Sequence, residues 1–409
     1  MKISSVSVKR IPAPAWQVPR WWSTSAMDSL FDQRAHFRGE QVGLFNATTE
    51  ALAGQPVLLV VTVRTDDGLE GLGAITLGNE ATACVIEHAL TPLVLGENPF
   101  NVELIWEKMY RATQNIGRRG LVLIAISGID IALWDLMGKV TSQPCYNLLG
   151  GRTRSSVRAY CSAAYAMDDL EQLAEIVQRQ MARGYSALKM RFGWGPLDGR
   201  EGILRNLAMV RKIRDILPAN ADLMADAYMG WDLNYALQIL PRLEEYDLTW
   251  VEEPLSPDNL AGYAYLRSRC RVPLAGGEHE ATRWGFRHLI ESRAVDYLQP
   301  DVNRVGGITE ARKIWALAQA YDVPVVPHSG DFHNLHLVIA HMNSPMAEHF
   351  PVDYLDADTF LSQVIDGQPQ FRDGHLHLST APGFGVSLRN PEAAARDLSH
   401  RSGNTPPCV

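Results

Sequence analysis

The chain has 409 residues, 46% of them hydrophobic and 21% charged, with a formal net charge of −8. That hydrophobic content excludes intrinsic disorder, and the acidic excess argues against nucleic acid or an anionic membrane as partner, since both call for basic patches. One core rarely grows past about 300 residues, so the length predicts a large domain with a smaller companion.

Lys2–Ile11 alternates as a strand does, and its early charges with no apolar run behind them give no expectation of a secretory signal. The stretch 13–53 has no clear period but holds Arg20, Trp21, Trp22, Arg34 and His36. A loop that long is usually functional, and this mixture suits a lid over a polar ligand; the alternative is an excursion that packs its tryptophans on the body. Pro56–Arg64, the turn Asp66-Asp67-Gly68 and Gly71–Leu77 read as a hairpin. Helical patterns follow at Glu80–Ala89 and Val102–Arg111. Leu121–Lys139 is apolar nearly all round and should be a buried helix; Asp130 and Asp135 within it argue against a membrane span. The five cysteines are scattered and never spaced Cys-x-x-Cys, which suits a reduced cytoplasm and no thiolate metal site. Gly150-Gly151 marks the expected boundary of a first, α+β domain over 1–150.

Beyond it, short apolar strands alternate with amphipathic helices. The expected strands are Val157–Ala163, Ser186–Arg191, Asp222–Asp226, Leu248–Glu253, Val272–Gly276, Val295–Gln299, Val323–Pro327 and Pro345–Glu348. Eight β/α repeats imply a parallel barrel, in which catalytic groups sit at the C-terminal strand ends. Three of those ends are acids: Asp226, Glu252 and Glu278, each 26 residues after the one before. Three converging carboxylates could not all stay ionised unaided, and an all-oxygen set selects Mg²⁺. The bland alternative is three separate helix caps. Lys189 and Arg191, two apart on the second strand, face one way and could hold a substrate carboxylate. Asp301 ends the sixth strand and His328 the seventh, so the Asp can orient the ring of a general base. Glu348 ends the eighth and could, while protonated, hydrogen-bond to a developing oxyanion. His279 and Tyr228 join Arg191, Arg20 and Trp21 as candidate substrate-binding residues. His333, His336 and His341 lie near helical spacing and read as packing or surface residues.

In this order the residues resemble the enolase superfamily, in its mandelate-racemase-like subgroup. Asp130–Asp135 with Gly138-Lys139, Leu148–Gly151 and Pro382–Val386 look like that group's domain junction and returning tail. The resemblance implies a modified TIM barrel, (β/α)7β, over 151–360. It implies an α+β cap over 1–150, completed by 361–409 with a frayed tail at 401–409. Of the adjacent acids Glu252 and Glu253 only one can point into the barrel, and the family uses the first as ligand. One Mg²⁺ per subunit, a small sugar-acid substrate, a homo-oligomer and a cytoplasmic location are likewise implied. Gly193–Gly199, Gly277–His279, Gln299–Val302 and Val326–His328 are similar to segments of the L-rhamnonate dehydratases, which remove water from an aldonate to give a 2-keto-3-deoxy acid. One departure is Arg191, where racemases carry a second lysine base; arginine cannot readily give up its proton. That favours one-base elimination by His328 over epimerisation. A related sugar acid such as L-lyxonate or L-mannonate, a lactonising activity, a barrel glycosidase and a non-catalytic regulator are the alternatives.

Overall fold

A computed structural model describes residues 1–12, 57–351, 361 and 364–389. Three antiparallel strands, β1 (Ile3–Pro12), β2 (Val57–Thr65) and β3 (Glu70–Gly78), form the cap sheet in that order. The single helix expected over 80–89 is instead an α-helix at Glu80–Cys84 that widens to a π-helix at Val85–Leu90. Helix Val102–Thr113 precedes the long helix Leu121–Val140. The latter is long and apolar enough to cross a membrane, yet 89% of its most apolar window is buried inside the protein.

Its two acids explain that placement. Asp135 accepts from the Leu72 amide in β3 at 2.8 Å and from the Phe384 amide in the returning segment at 2.9 Å, and pairs with Lys139. Gly383 (φ +70°) is required beside it, because a Cβ there would lie 2.2 Å from Asp135 Oδ1. Asp130 accepts from the Thr309 amide at 2.9 Å. It thus caps helix Ile308–Ala320, whose own N-cap, Gly307, has no side chain to offer. One helix therefore fastens the cap sheet, the returning chain and the barrel together.

The barrel strands run parallel: β4 (Val157–Ala164), β5 (Ala187–Arg191), β6 (Asp222–Asp226), β7 (Leu248–Glu252), β8 (Leu274–Gly276) and β9 (Tyr297–Leu298). The seventh strand, expected over 323–327, shrinks to one bridge between Leu298 and Val325. Pro324 and Pro327 flank that bridge and have no N–H to give a ladder. β10 (Ala347–His349) closes the ring on β4, with Glu348 opposite Tyr160. After β10 the described residues form short strands; His375–His377 adds antiparallel to β4. Cys145 and Cys270 are free thiols.

Tyr160, Ala187, Met224, Trp250, Ala275, Val326 and Met346 interlock as a plug inside the barrel. Side chains alternate along a strand, so residues two positions further on also face the axis, one layer nearer the C-terminal mouth. That layer contains Ser162, Lys189, Asp226, Glu252, Gly277, His328 and Glu348. The apolar plug thus carries a polar layer on top.

Candidate active site

Register puts the acids level: Asp226 pairs with Glu252 across β6 and β7, and Arg191 with Asp226 across β5 and β6. Lys189 stands among them. Its Nζ is 2.6 Å from Glu252 Oε1, 3.0 Å from Glu348 Oε1 and 3.5 Å from Asp226 Oδ2. Lys189, Glu252 and Glu348 are at most 1% exposed. Burial works against the lysine's charge, but Glu252 and Glu348 outweigh it and hold its pKa well above the ordinary value. Glu252 is also gripped by Gln299 Nε2 at 2.6 Å and Trp250 Nε1 at 3.1 Å. Even so, burial beside Asp226, Glu348 and Glu278 pushes its pKa up to about 8. The cluster holds more negative charge than its cations offset.

Glu348 is another of the carboxylates at Lys189. Burial opposes ionisation, but Lys189, then His328 and Arg191, overcome it and take the pKa down to about 2. The Ser329 amide donates to its Oε2 at 2.8 Å. Arg191 stacks over Tyr165, 4.4 Å from the ring centroid, and donates to Ser162. Burial costs it charge, but Tyr165 and Asp226 more than compensate, so the guanidinium stays protonated.

His328 Nδ1 lies 2.9 Å from Asp301 Oδ2, and its Nε2 is 3.8 Å from Glu278 Oε1. Burial disfavours the imidazolium; Glu278 and Asp301 outweigh burial and raise the pKa to about 9. His279 Nδ1 lies 2.9 Å from Glu253 Oε2 and its Nε2 3.7 Å from Glu278. Glu253, Glu278 and His279 are, among the described residues, the group whose potential ligand atoms fall within 4.8 Å of one another. Asp226 and Glu252 are not in that group; both face Lys189 instead. Tyr228 sits edge-on to His279, 5.7 Å between centroids. Tyr228, Glu253 and Ser329 have φ of +44°, +38° and +73°. Glu253 and Ser329 directly follow Glu252 and His328, and Tyr228 lies two residues past Asp226; strain of this kind collects at active sites. Arg20, Trp21 and the rest of the expected lid lie outside the described residues.

Residues 45–150 match the mandelate racemase / muconate lactonizing enzyme N-terminal domain, and residues 172–393 match the enolase C-terminal domain-like model. The chain belongs to the mandelate racemase / muconate lactonizing enzyme family. It is 40% identical over 342 residues to an L-rhamnonate dehydratase of Saccharopolyspora erythraea, covering 83% of this chain and 84% of that one. The crystal structure of rhamnonate dehydratase from Gibberella zeae complexed with Mg matches with a TM-score of 0.82 and 29% identity, over 96% of this chain and 95% of that one. L-talarate dehydratase from Polaromonas sp. JS666, complexed with Mg and L-glucarate, matches at 0.77 and 27%, over 95% of each.

Several groups around this family member's site escape a reading by strand ends alone. Arg304 reaches Glu278 Oε1 at 3.1 Å and Asp301 Oδ2 at 3.5 Å, so one cation steadies both a candidate ligand and the dyad acid. Its place three residues after Asp301 was the available signal. Gln299 lies two positions past Tyr297 and so falls in the mouth layer, but an amide there has no charge to draw attention. His333 and His336 are buried packing residues, as their spacing suggested; His336 Nδ1 accepts from the Tyr146 amide at 3.1 Å.

Proposed function

We propose that this family member is a Mg²⁺-dependent hydro-lyase of sugar acids, with an aldonate of the L-rhamnonate type as its substrate. The observation that carries the reading is the His328–Asp301 pair at 2.9 Å, set across the barrel mouth from the Lys189–carboxylate cluster. Asp226, Glu252 and Glu278 are hard oxygen donors in a site short of positive charge, which fits a small divalent cation. Bound there, such an ion would neutralise the acids and draw charge from a substrate carboxylate.

The chain's own residues account for the rest. Lys189 and Arg191, both kept charged, would hold the substrate carboxylate and stabilise the enediolate as it forms. His328 removes the α-proton with Nε2, while Asp301 fixes its tautomer through Nδ1. The resulting imidazolium can return that proton to the departing β-hydroxyl on the same face, and the enol then ketonises. Arg191 supplies no second base, so elimination is favoured over two-base epimerisation. Ionised Glu348 acts by holding Lys189 in place rather than as a proton donor.

A panel of aldonates and aldarates incubated with Mg²⁺ and assayed with semicarbazide for 2-keto-3-deoxy acids tests this. The expected result is product from L-rhamnonate or a sugar acid of like stereochemistry at the two reacting carbons. α-Proton exchange in D₂O without any keto acid would overturn it.

A further inference from the structure

Behind the dyad lies a second set of buried polar groups that the steps above leave unused. Asp331 follows His328 by three residues and is 8% exposed, while Asn303 and His333 are fully buried. Asp331 Oδ2 accepts from the Thr76 hydroxyl at 3.2 Å and from Asn303 Nδ2 at 3.0 Å. These partners come from three places in the chain. Thr76 is on β3 of the cap sheet, Asn303 is in the turn after β9, and Asp331 is in the loop after the seventh strand position.

The same groups hold the dyad. The Asn303 amide donates to Asp301 Oδ1 at 2.8 Å. The Asp331 amide donates to Ser329 Oγ at 3.2 Å, next to His328. Asn334 ties the two halves, donating to the His328 carbonyl at 2.9 Å and accepting from the Val302 amide at 3.2 Å. A buried carboxylate is costly unless its hydrogen bonds are made. Here the protein places one in the seam between cap and barrel, and His333 Nε2, 3.7 Å away, adds little charge to it, because burial lowers the pKa of that ring.

We propose that Asp331 is a positioning residue for the dehydration, linking cap strand β3 through Asn303 and Ser329 to both members of the dyad. Docking of the cap and alignment of His328 with Asp301 are then one event. This rests on the dehydratase reading for its kinetic part only.

Thr76→Val, nearly isosteric, deletes the hydroxyl on the cap side, and Thr76→Ser restores it. In the Mg²⁺-loaded enzyme, Thr76→Val should lower kcat about ten- to a hundredfold, the scale of a small misplacement of reacting groups. KM should stay within about twofold, as for a loss confined to the transition state. The thermal midpoint should fall only slightly, as for one lost hydrogen bond, and Thr76→Ser should recover both it and kcat. Asp331→Asn should act in the same direction. Amide hydrogen exchange over residues 301–305 and 328–334 should quicken in Thr76→Val, a readout independent of turnover. If no sugar acid is dehydrated by the wild type, the functional reading falls while the exchange result still decides the coupling. Unchanged kcat and unchanged exchange in Thr76→Val and Asp331→Asn would overturn the proposal. So would a rise in KM alone, which would make these residues substrate contacts.

Discussion

His328 can act as a base only while its ring is neutral, and Glu278 and Asp301 both favour the charged form. Cancelling the charge of Glu278 is therefore part of making the base work, which ties the ligand set to the dyad through the 3.8 Å between His328 Nε2 and Glu278. His328→Asn should cut dehydration by about a hundred- to ten-thousandfold, the usual contribution of a general base, while Mg²⁺ binding by calorimetry persists. Near-normal turnover would move the base elsewhere. A second comparison separates the two neighbouring glutamates. Glu252 lies two residues beyond Trp250 of the plug and faces the axis, whereas Glu253 turns to His279. Titration calorimetry should find Mg²⁺ affinity lowered more by Glu252→Gln than by Glu253→Gln, the latter by about tenfold, as for a partner that orients a ligand. The reverse order would shift the ion toward the Glu253–His279 side.

Among the elements, the helix Leu121–Val140 makes the most of its polar residues. Asp130 is completely buried, and burial raises its pKa to about 7, with Thr309 opposing. An acid whose folded pKa exceeds its unfolded value holds its proton more tightly when folded. Its effect on stability is therefore least harmful at low pH and grows as pH rises from about 4 to about 7, reaching the order of a few kcal/mol. Measured by calorimetry, the thermal midpoint of the wild type relative to Asp130→Asn should fall between pH 5 and pH 8. A flat difference would show that Asp130 is not protonated in the folded protein. Strand irregularities follow equally local causes: the prolines at 324 and 327 reduce the seventh strand to a bridge, and the chain still returns His328 to the mouth layer because Val326, two residues earlier, belongs to the plug.

The whole molecule works as a cap fastened to a barrel, with the polar layer at the seam between them. An ion bound by the folded barrel mouth and not by the unfolded chain must stabilise the fold, by about 2.7 kcal/mol at a hundredfold excess over Kd. Chelation with EDTA should therefore abolish dehydration and lower the thermal midpoint together, and added Mg²⁺ should restore both. Activity that survives chelation would favour metal-free chemistry such as glycoside hydrolysis.

The repeat of strand and helix, the acid at the end of β6, β7 and the following loops, and the buried character of Leu121–Val140 were legible in the sequence. They depend on periodicity and on local residue type, which a linear chain records directly. What the sequence could not record is which groups meet across distant segments. Arg304 reaching Glu278, Lys189 meeting Glu348, and Thr76 joining Asp331 bring together residues 26 to 255 positions apart. Charge states follow the same rule: a lysine from another strand favours the carboxylate form of Glu348. Local pattern determined where each polar residue stands on its own strand or loop; only the closing of the barrel, with the cap pressed against it, decided what each one faces, because burial and charge act through space and not along the chain.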